Sequence, residues 1–463
     1  MKINHFNFKE FHNRILITND MGRYVFVEKD DFKKLIGKTI DPESDIGREL
    51  INAQMIYRDS DLLFSEKNEY RLRNSKSHLA TATSLHIFVV TTACNLNCRY
   101  CQANNGTKIP NCFMDTETAE RAVEIALQTP EWNLSFEFQG GEPLLNFPVI
   151  KHIITYTEEH NKNHSIVYSV VSNLTLLNDE MIDFFAEHHV SISTSLDGDE
   201  KLHNYNRPFR NGEGSFDYVK NQVKRLKEKG ISVGAIQTTT KASLPHAKEI
   251  VDTYINLGFN SIFLRHLTQL GKAQKNWDEI GYTADRYLKF YVDAMDYIIK
   301  CNIDGIQIKE QHAAILLKRM NGCITNYMEL RSPCGAGIGQ LAYFADGRIF
   351  TCDEGRMLAE MGNDAFLLGN VRNDTYRSII ENRVCKAACS SSMLETIPSC
   401  CDCVYQPYCG VCPVVNYSIG EDLIEKQPRS YRCGIYSGML DYLFGLYLDN
   451  NEDIVNVLNN WSF

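Results

Sequence analysis

Residues 85–101 read LHIFVVTTACNLNCRYC. An apolar run ends in three cysteines, Cys94, Cys98 and Cys101, spaced by three and two residues. The run suits a buried strand, and a strand that opens directly into a thiol loop puts all three sulfurs at its carboxyl end. Iron–sulfur clusters usually take four protein thiolates. A loop with three leaves one metal position open to a small molecule that binds by an amine and a carboxylate. Zinc is the competing reading, because Cys-x2-Cys is frequent in zinc sites. A zinc knuckle needs a second pair nearby, and Cys112 is the one other local thiol.

Outward from this stretch, apolar strand segments recur at 85–91, 134–139, 165–171, 190–196, 231–238 and 260–265. Helical stretches such as TETAERAVEIALQ, NDEMIDFFAEHH and FDYVKNQVKRLKEKG lie between them. Strands that alternate with helices build parallel βαβ units. Six units predict an α/β fold, either an open barrel or a doubly wound sheet, with ligands at the carboxyl ends of the strands. The later strands end in FQGGEP, VSN and SLDG, small polar endings that let backbone approach a ligand.

Residues 1–80 read as a separate winged-helix-like module. RILITND and RYVFVEKD are strands around the turn NDMG, followed by the short helices DDFKKLIG and DIGRELINAQMI, and RLRNSKSH reads as a linker. Residues 81–305 form the α/β unit. Residues 306–463 hold most of the sixteen cysteines, an Asp-Gly hairpin within SPCGAGIGQLAYFADGRIFTCDE, and a helical tail, GMLDYLFGLYLDNNEDIVNVLNN.

The chain has 463 residues, 44% hydrophobic and 23% charged, with a net charge of −10. Such a charge argues against nucleic-acid or anionic-membrane partners. The N-terminal stretch has no apolar h-region, and no apolar run is long enough to cross a bilayer. The expected location is cytoplasmic, where thiols stay reduced and clustered cysteines signal metal.

Cys-x3-Cys-x2-Cys after the first strand, with GGEP, SN and SLDG at later strand ends, closely resembles the radical S-adenosylmethionine (SAM) superfamily. The resemblance implies a partial (β/α)6 TIM barrel and a [4Fe–4S] cluster on Cys94, Cys98 and Cys101, with SAM on the fourth iron. It implies reductive cleavage of SAM to a 5′-deoxyadenosyl radical that abstracts hydrogen from the substrate, and a reductant such as flavodoxin or ferredoxin. By the same resemblance Gly140, Gly141 and Glu142 border the SAM amino group. Ser172 and Asn173 lie near the ribose, with Leu174 where the family often has Gly. Tyr100 contacts adenine, and Ser195 and Arg207 are candidates for the SAM carboxylate.

The downstream cysteines resemble the SPASM domain. Cys334, Gly347 and Cys352 fit its opening pattern. Cys400, Cys403 and Cys409 follow in its spacing, Cys412 comes one residue early, and Cys433 closes the set. This implies two auxiliary [4Fe–4S] clusters, one on Cys334, Cys352, Cys412 and upstream Cys323, the other on Cys400, Cys403, Cys409 and Cys433. Cys401 is an alternative ligand. Without Cys323 the first cluster has an open iron. Asp353, directly after Cys352, resembles the general base of sulfatase-maturing enzymes.

The phrases ILITNDMGRYVF, LHIFVVTTACNLNCRYCQ and CGVCPVVNYS resemble the His-Xaa-Ser-system radical SAM maturases. That implies a precursor-peptide substrate with a leader held by the N-terminal module, and an intrapeptide carbon–carbon crosslink as product. Formylglycine formation, thioether formation and epimerisation are the alternatives within the class. A non-enzymatic iron–sulfur or zinc electron carrier or regulator is the alternative outside it.

Overall fold

The chain begins with β1 (Lys2–Ile3) and an antiparallel meander of β2 (Asn7–Phe11), β3 (Arg14–Thr18) and β4 (Tyr24–Glu28); β5 (Ile56–Tyr57) then returns to pair with β1. The computed structural model describes residues 1–58, 64–103, 111–323, 327–425 and 430–462. The strands expected around NDMG and the two following helices, Lys29–Ile36 and Asp45–Asn52, are present. β2 was not foreseen: its phenylalanines, exposed Phe8 and buried Phe11, are three residues apart and fall on opposite faces, so no apolar alternation marks it. The expected linker at 71–78 differs too, because the helix Phe64–Ser75 runs through its first part.

This N-terminal layer is docked on the C-terminal region. Asn7 donates to the carbonyls of Cys401 and Cys403, both at 3.1 Å, and Thr18 donates to Val404 O at 2.7 Å. The rings of Tyr24 and Phe26 meet Phe444 edge-on.

The barrel strands are β6 (Leu85–Thr91), β7 (Asn133–Gly140), β8 (Ser165–Val171), β9 (Ser191–Ser195), β10 (Val233–Thr238) and β11 (Ser261–Arg265), paired in that order and all parallel. The first strand is buried on both faces: Phe88, Val89 and Val90 are fully inaccessible, as a central parallel strand requires. β12 (Lys309–Glu310) extends the far edge in parallel. The architecture is an α/β partial barrel of the (β/α)6 type.

The other edge was not foreseen. β13 (Gln340–Tyr343) pairs parallel with β6, from Gln340 against Leu85 to Tyr343 against Phe88. β14 (Arg348–Phe350) and β15 (Leu367–Asn370) continue antiparallel, the first forming the expected Asp-Gly hairpin with β13. One ten-stranded sheet therefore joins the barrel to the cysteine-rich region. The helical tail breaks in two, Tyr431–Asp449 and Glu452–Trp461. Asn450 takes a left-handed conformation there, and the Asn451 side chain caps the second helix.

Along the barrel strands, residues facing the helices are apolar and buried, such as Phe136, Phe138, Val170, Ile192 and Leu264. The alternate positions are Glu137, Gln139, Ser169, Ser193, Ser195 and Gly234. A closed TIM barrel fills its centre with branched aliphatic side chains; this one has small and polar residues there, which leaves room for a substrate.

Candidate active site

The cysteine loop leaves β6 at Thr91 and is pinned from three sides. The N–H groups of Gly141 and Glu142, at the end of β7, donate to Thr91 O at 2.9 Å and Ala93 O at 2.8 Å. A Cβ on Gly140 would sit 2.1 Å from Thr91 O, and one on Gly141 2.3 Å from Ala93 O. The adjacent glycines let the two strand ends approach that closely. Across the rim, Asn97 N–H donates to Pro208 O and Arg99 N–H to Asn206 O, at 2.8 and 2.9 Å, and Arg210 Nε reaches Cys94 O at 2.7 Å. Behind the loop, Lys272 N–H donates to Cys101 O at 2.8 Å.

Side chains then tie the rim together. Glu142 is buried, and its carboxylate accepts from Leu144 N–H, Ser172 Oγ and Asn173 N–H at 3.0, 2.7 and 2.8 Å. Asn173 Nδ2 bonds Asn95 Oδ1 at 2.9 Å and lies 4.0 Å from Cys94 Sγ. Leu174, at the position where the resemblance expects glycine, keeps a glycine-like backbone at φ 62°. Arg207 Nη1 donates to the Tyr100 hydroxyl at 2.7 Å, and that hydroxyl donates to Asp197. Ser195 ends β9 at the same rim, half-buried. The structure thus brings Tyr100, Gly140, Gly141, Glu142, Ser172, Asn173, Ser195 and Arg207 to the end of the barrel that carries Cys94, Cys98 and Cys101. Asp197, which bridges Tyr100 to the Thr238 N–H, was missed. Its signal was its place in SLDG, read only as a small polar strand ending.

Burial pushes the thiols up, Cys94 to about 12 and Cys101 to about 11, with neighbouring Cys98 adding to both. Thiols crowded out of water in this way lose their protons on metal binding, which couples metal to the loop. This donor set fits a cluster.

Two further thiol groups lie in the cysteine-rich region. Cys400, Cys403, Cys409 and Cys433 line one cavity. Cys334, Cys352 and Cys412 line another. Burial raises Cys334 to about 11 and Cys400 and Cys409 to about 12. Cys323 does not join the second group. Its N–H caps the helix Gln311–Met320 by donating to Lys318 O, and it faces a different cavity, beside Arg319 and Arg331. The Cys401 carbonyl receives Asn7, and Cys401 is not among the residues lining the four-thiol cavity.

Arg432 borders both cavities and, with Arg265, pairs with Glu329. Burial opposes ionisation of Glu329, but the two guanidinium groups hold its carboxyl well below the usual range. Asp353 opens the helix Asp353–Glu360, and its Oδ1 accepts from buried Arg356 Nε at 2.7 Å. Arg356 also reaches Gln139 of β7 at 3.2 Å, so Asp353 sits beside the barrel interior.

Residues 88–242 match the profile of the Radical SAM superfamily. The chain carries a radical SAM domain. Over those residues the chain is similar to the enzymes of that superfamily, and a cysteine-rich region follows. An uncharacterised Methanocaldococcus jannaschii protein, MJ0907, is 36% identical over 177 residues; the match covers 38% of this chain and 60% of that protein's length. A cysteine-type anaerobic sulfatase-maturating enzyme of Clostridium perfringens is 24% identical over 81% of this chain and 98% of its own. Among solved structures, native anSMEcpe with bound AdoMet and a Kp18Cys peptide superposes with TM-score 0.68 at 22% identity, covering 82% of this chain and 99% of that one. Streptococcus suis SuiB bound to its precursor peptide SuiA superposes with TM-score 0.54 at 18% identity, over 93% and 98%. The likeness to these two structures is one of fold.

Proposed function

We propose that this radical SAM enzyme is a peptide maturase. It acts on a ribosomally made precursor peptide and forms an intrapeptide carbon–carbon crosslink. The observation that carries the reading is the coexistence of three thiol groups with a barrel interior lined by small and polar residues, Glu137, Gln139, Ser169, Ser193, Ser195 and Gly234. A SAM-bound cluster would supply a carbon radical that takes a hydrogen atom from the substrate. Cys94, Cys98 and Cys101 would hold that cluster. Gly140, Gly141, Glu142, Ser172, Asn173 and Ser195 would shape the SAM pocket, while Tyr100 and Arg207 brace its floor through Asp197. Cys334, Cys352 and Cys412, and separately Cys400, Cys403, Cys409 and Cys433, would hold two auxiliary clusters. Asp353 keeps Oδ2 free of Arg356 Nε, so that oxygen can accept a substrate proton. The leader would lie on the N-terminal sheet by strand addition, and a flavodoxin or ferredoxin would supply electrons.

A formylglycine-forming sulfatase maturase is the second reading. It is favoured by Asp353 directly after Cys352, beside the lumen. Anaerobic reconstitution tests both. Three four-iron clusters predict about twelve irons per chain, 5′-deoxyadenosine on reduction with SAM, and a product two hydrogens lighter without a new carbonyl. A hydrazide-reactive carbonyl in the product selects the formylglycine reading. Zinc in place of iron, or no SAM cleavage, defeats both.

A further inference from the structure

The cavity of Cys334, Cys352 and Cys412 holds three thiols where a four-iron cluster has four corners to fill. Cys323 faces away. The remaining acidic group at this cavity that is not ion-paired is Glu354, two residues after Cys352 in the first turn of the helix Asp353–Glu360. Among the described residues no other side chain hydrogen-bonds or ion-pairs with its carboxylate, which meets its own backbone N–H. The nearby cation Arg265 is already taken by Glu329. The side chain is half-buried, so its carboxylate is only partly hydrated there and is placed to serve as a metal ligand on the cavity wall.

We propose that Glu354 is the fourth protein ligand of the auxiliary cluster on Cys334, Cys352 and Cys412. The proposal rests on the reading that this cavity holds an iron–sulfur cluster. Carboxylate oxygen is a competent iron donor. Cys352 and Glu354 leave the same helix start, where the Gly355 N–H points at Cys352 Sγ at 3.3 Å, so one turn would supply a sulfur and an oxygen to neighbouring corners. Cys412, at the start of the helix Pro413–Gly420, closes the cavity from the other side. Arg265 and Arg432 at the wall offset the added negative charge. The ligand set would be three thiolates and one carboxylate, with no open iron.

The test uses the full-length chain carrying Cys94→Ala, Cys98→Ala and Cys101→Ala, so that the auxiliary clusters alone are observed. Iron content, electron paramagnetic resonance and the midpoint potential are measured. This background should hold about eight irons, and Cys412→Ala should lower that by about four. Glu354→Gln should give the near-isotropic signal of an oxidised three-iron cluster and an upward shift of one midpoint potential. Glu354→Cys should restore a four-iron spectrum, and Cys323→Ala should change nothing. If Cys412→Ala removes no iron, the cluster reading falls and the proposal with it. If it does, and Glu354→Gln leaves spectrum and potential unchanged, the ligand assignment alone is overturned. Iron loss in Glu354→Gln that Glu354→Cys does not repair, or a three-iron signal from Cys323→Ala, also overturns it.

Discussion

The hydroxyl of Tyr100 donates to both carboxylate oxygens of Asp197, at 2.9 and 2.8 Å. The bond joins the cysteine loop to the end of β9, and Arg207 completes it from the far side. Tyr100→Phe keeps the ring and removes the link, leaving Asp197 and Arg207 buried with a partner missing. We expect a loss of about 1–3 kcal/mol of stability, read by anaerobic denaturation, and faster release of loop iron to a chelator. Unchanged chelation kinetics would show that the bond does not brace the loop.

Gly141→Ala places a methyl group 2.3 Å from the Ala93 carbonyl, where only backbone movement can relieve it. The cost should be about 3 kcal/mol, concentrated at the SAM-cluster loop. Iron at the two downstream groups should stay while SAM cleavage falls at least tenfold. Loss of iron from all three would mean that the damage is global.

Glu329 is paired with Arg265 and Arg432, and Glu329→Gln leaves two half-buried cations without that partner. For such a partly solvated pair the loss should be about 1–3 kcal/mol. The folded carboxyl titrates below its unfolded value, so its contribution is complete above the ordinary carboxylate range and is lost only as pH falls beneath it. The stability gap between wild type and variant should therefore be constant from about pH 8 to pH 5 and narrow in stronger acid. A gap that closes near neutrality contradicts this.

Phe8 is 56% exposed on β2, and its ring meets that of Phe32 at a tilt, with centroids 4.9 Å apart; Ile36, one helical turn on, is also exposed. Phe8→Ser leaves the docking bonds of Asn7 and Thr18 in place. If the N-terminal sheet receives the leader, affinity for a full precursor should drop about tenfold while turnover of a leaderless core peptide is unchanged. Equal affinity would remove this face from recognition. Deleting the module is a poorer test, because it also strips hydrogen bonds from the Cys401 and Cys403 carbonyls.

The six barrel strands were legible in the sequence within a residue or two because each is an apolar run bounded by turn residues, and the rim motifs followed from where those strands end. β13 was legible as one arm of a hairpin, but its pairing with β6 lies about 250 residues away, beyond any local pattern. The rim network was half visible: Tyr100 and Arg207 stood out, whereas Asp197 looked like a turn residue until its hydroxyl partner was placed. Cys323 is placed differently from what its spacing suggests, at a cavity beside Arg319 and Arg331. A thiol near the right spacing attracts assignment, and the end of one helix turns it elsewhere. Glu354 was hidden because a glutamate two residues after a cysteine is an ordinary helix-start residue until the fold sets it in the cavity that Cys334, Cys352 and Cys412 line.

The pairing of β6 with β13 also has a consequence in time. During synthesis Leu85–Thr91 emerges long before Gln340–Tyr343, and at about 5–20 residues per second this very apolar strand waits roughly a quarter of a minute to nearly a minute for its outer neighbour. A bare, flat, hydrophobic edge is an aggregation hazard. The nascent chain should therefore depend on chaperones over that interval, and a message truncated before residue 340 should yield insoluble protein even though every residue of the radical SAM domain has been made.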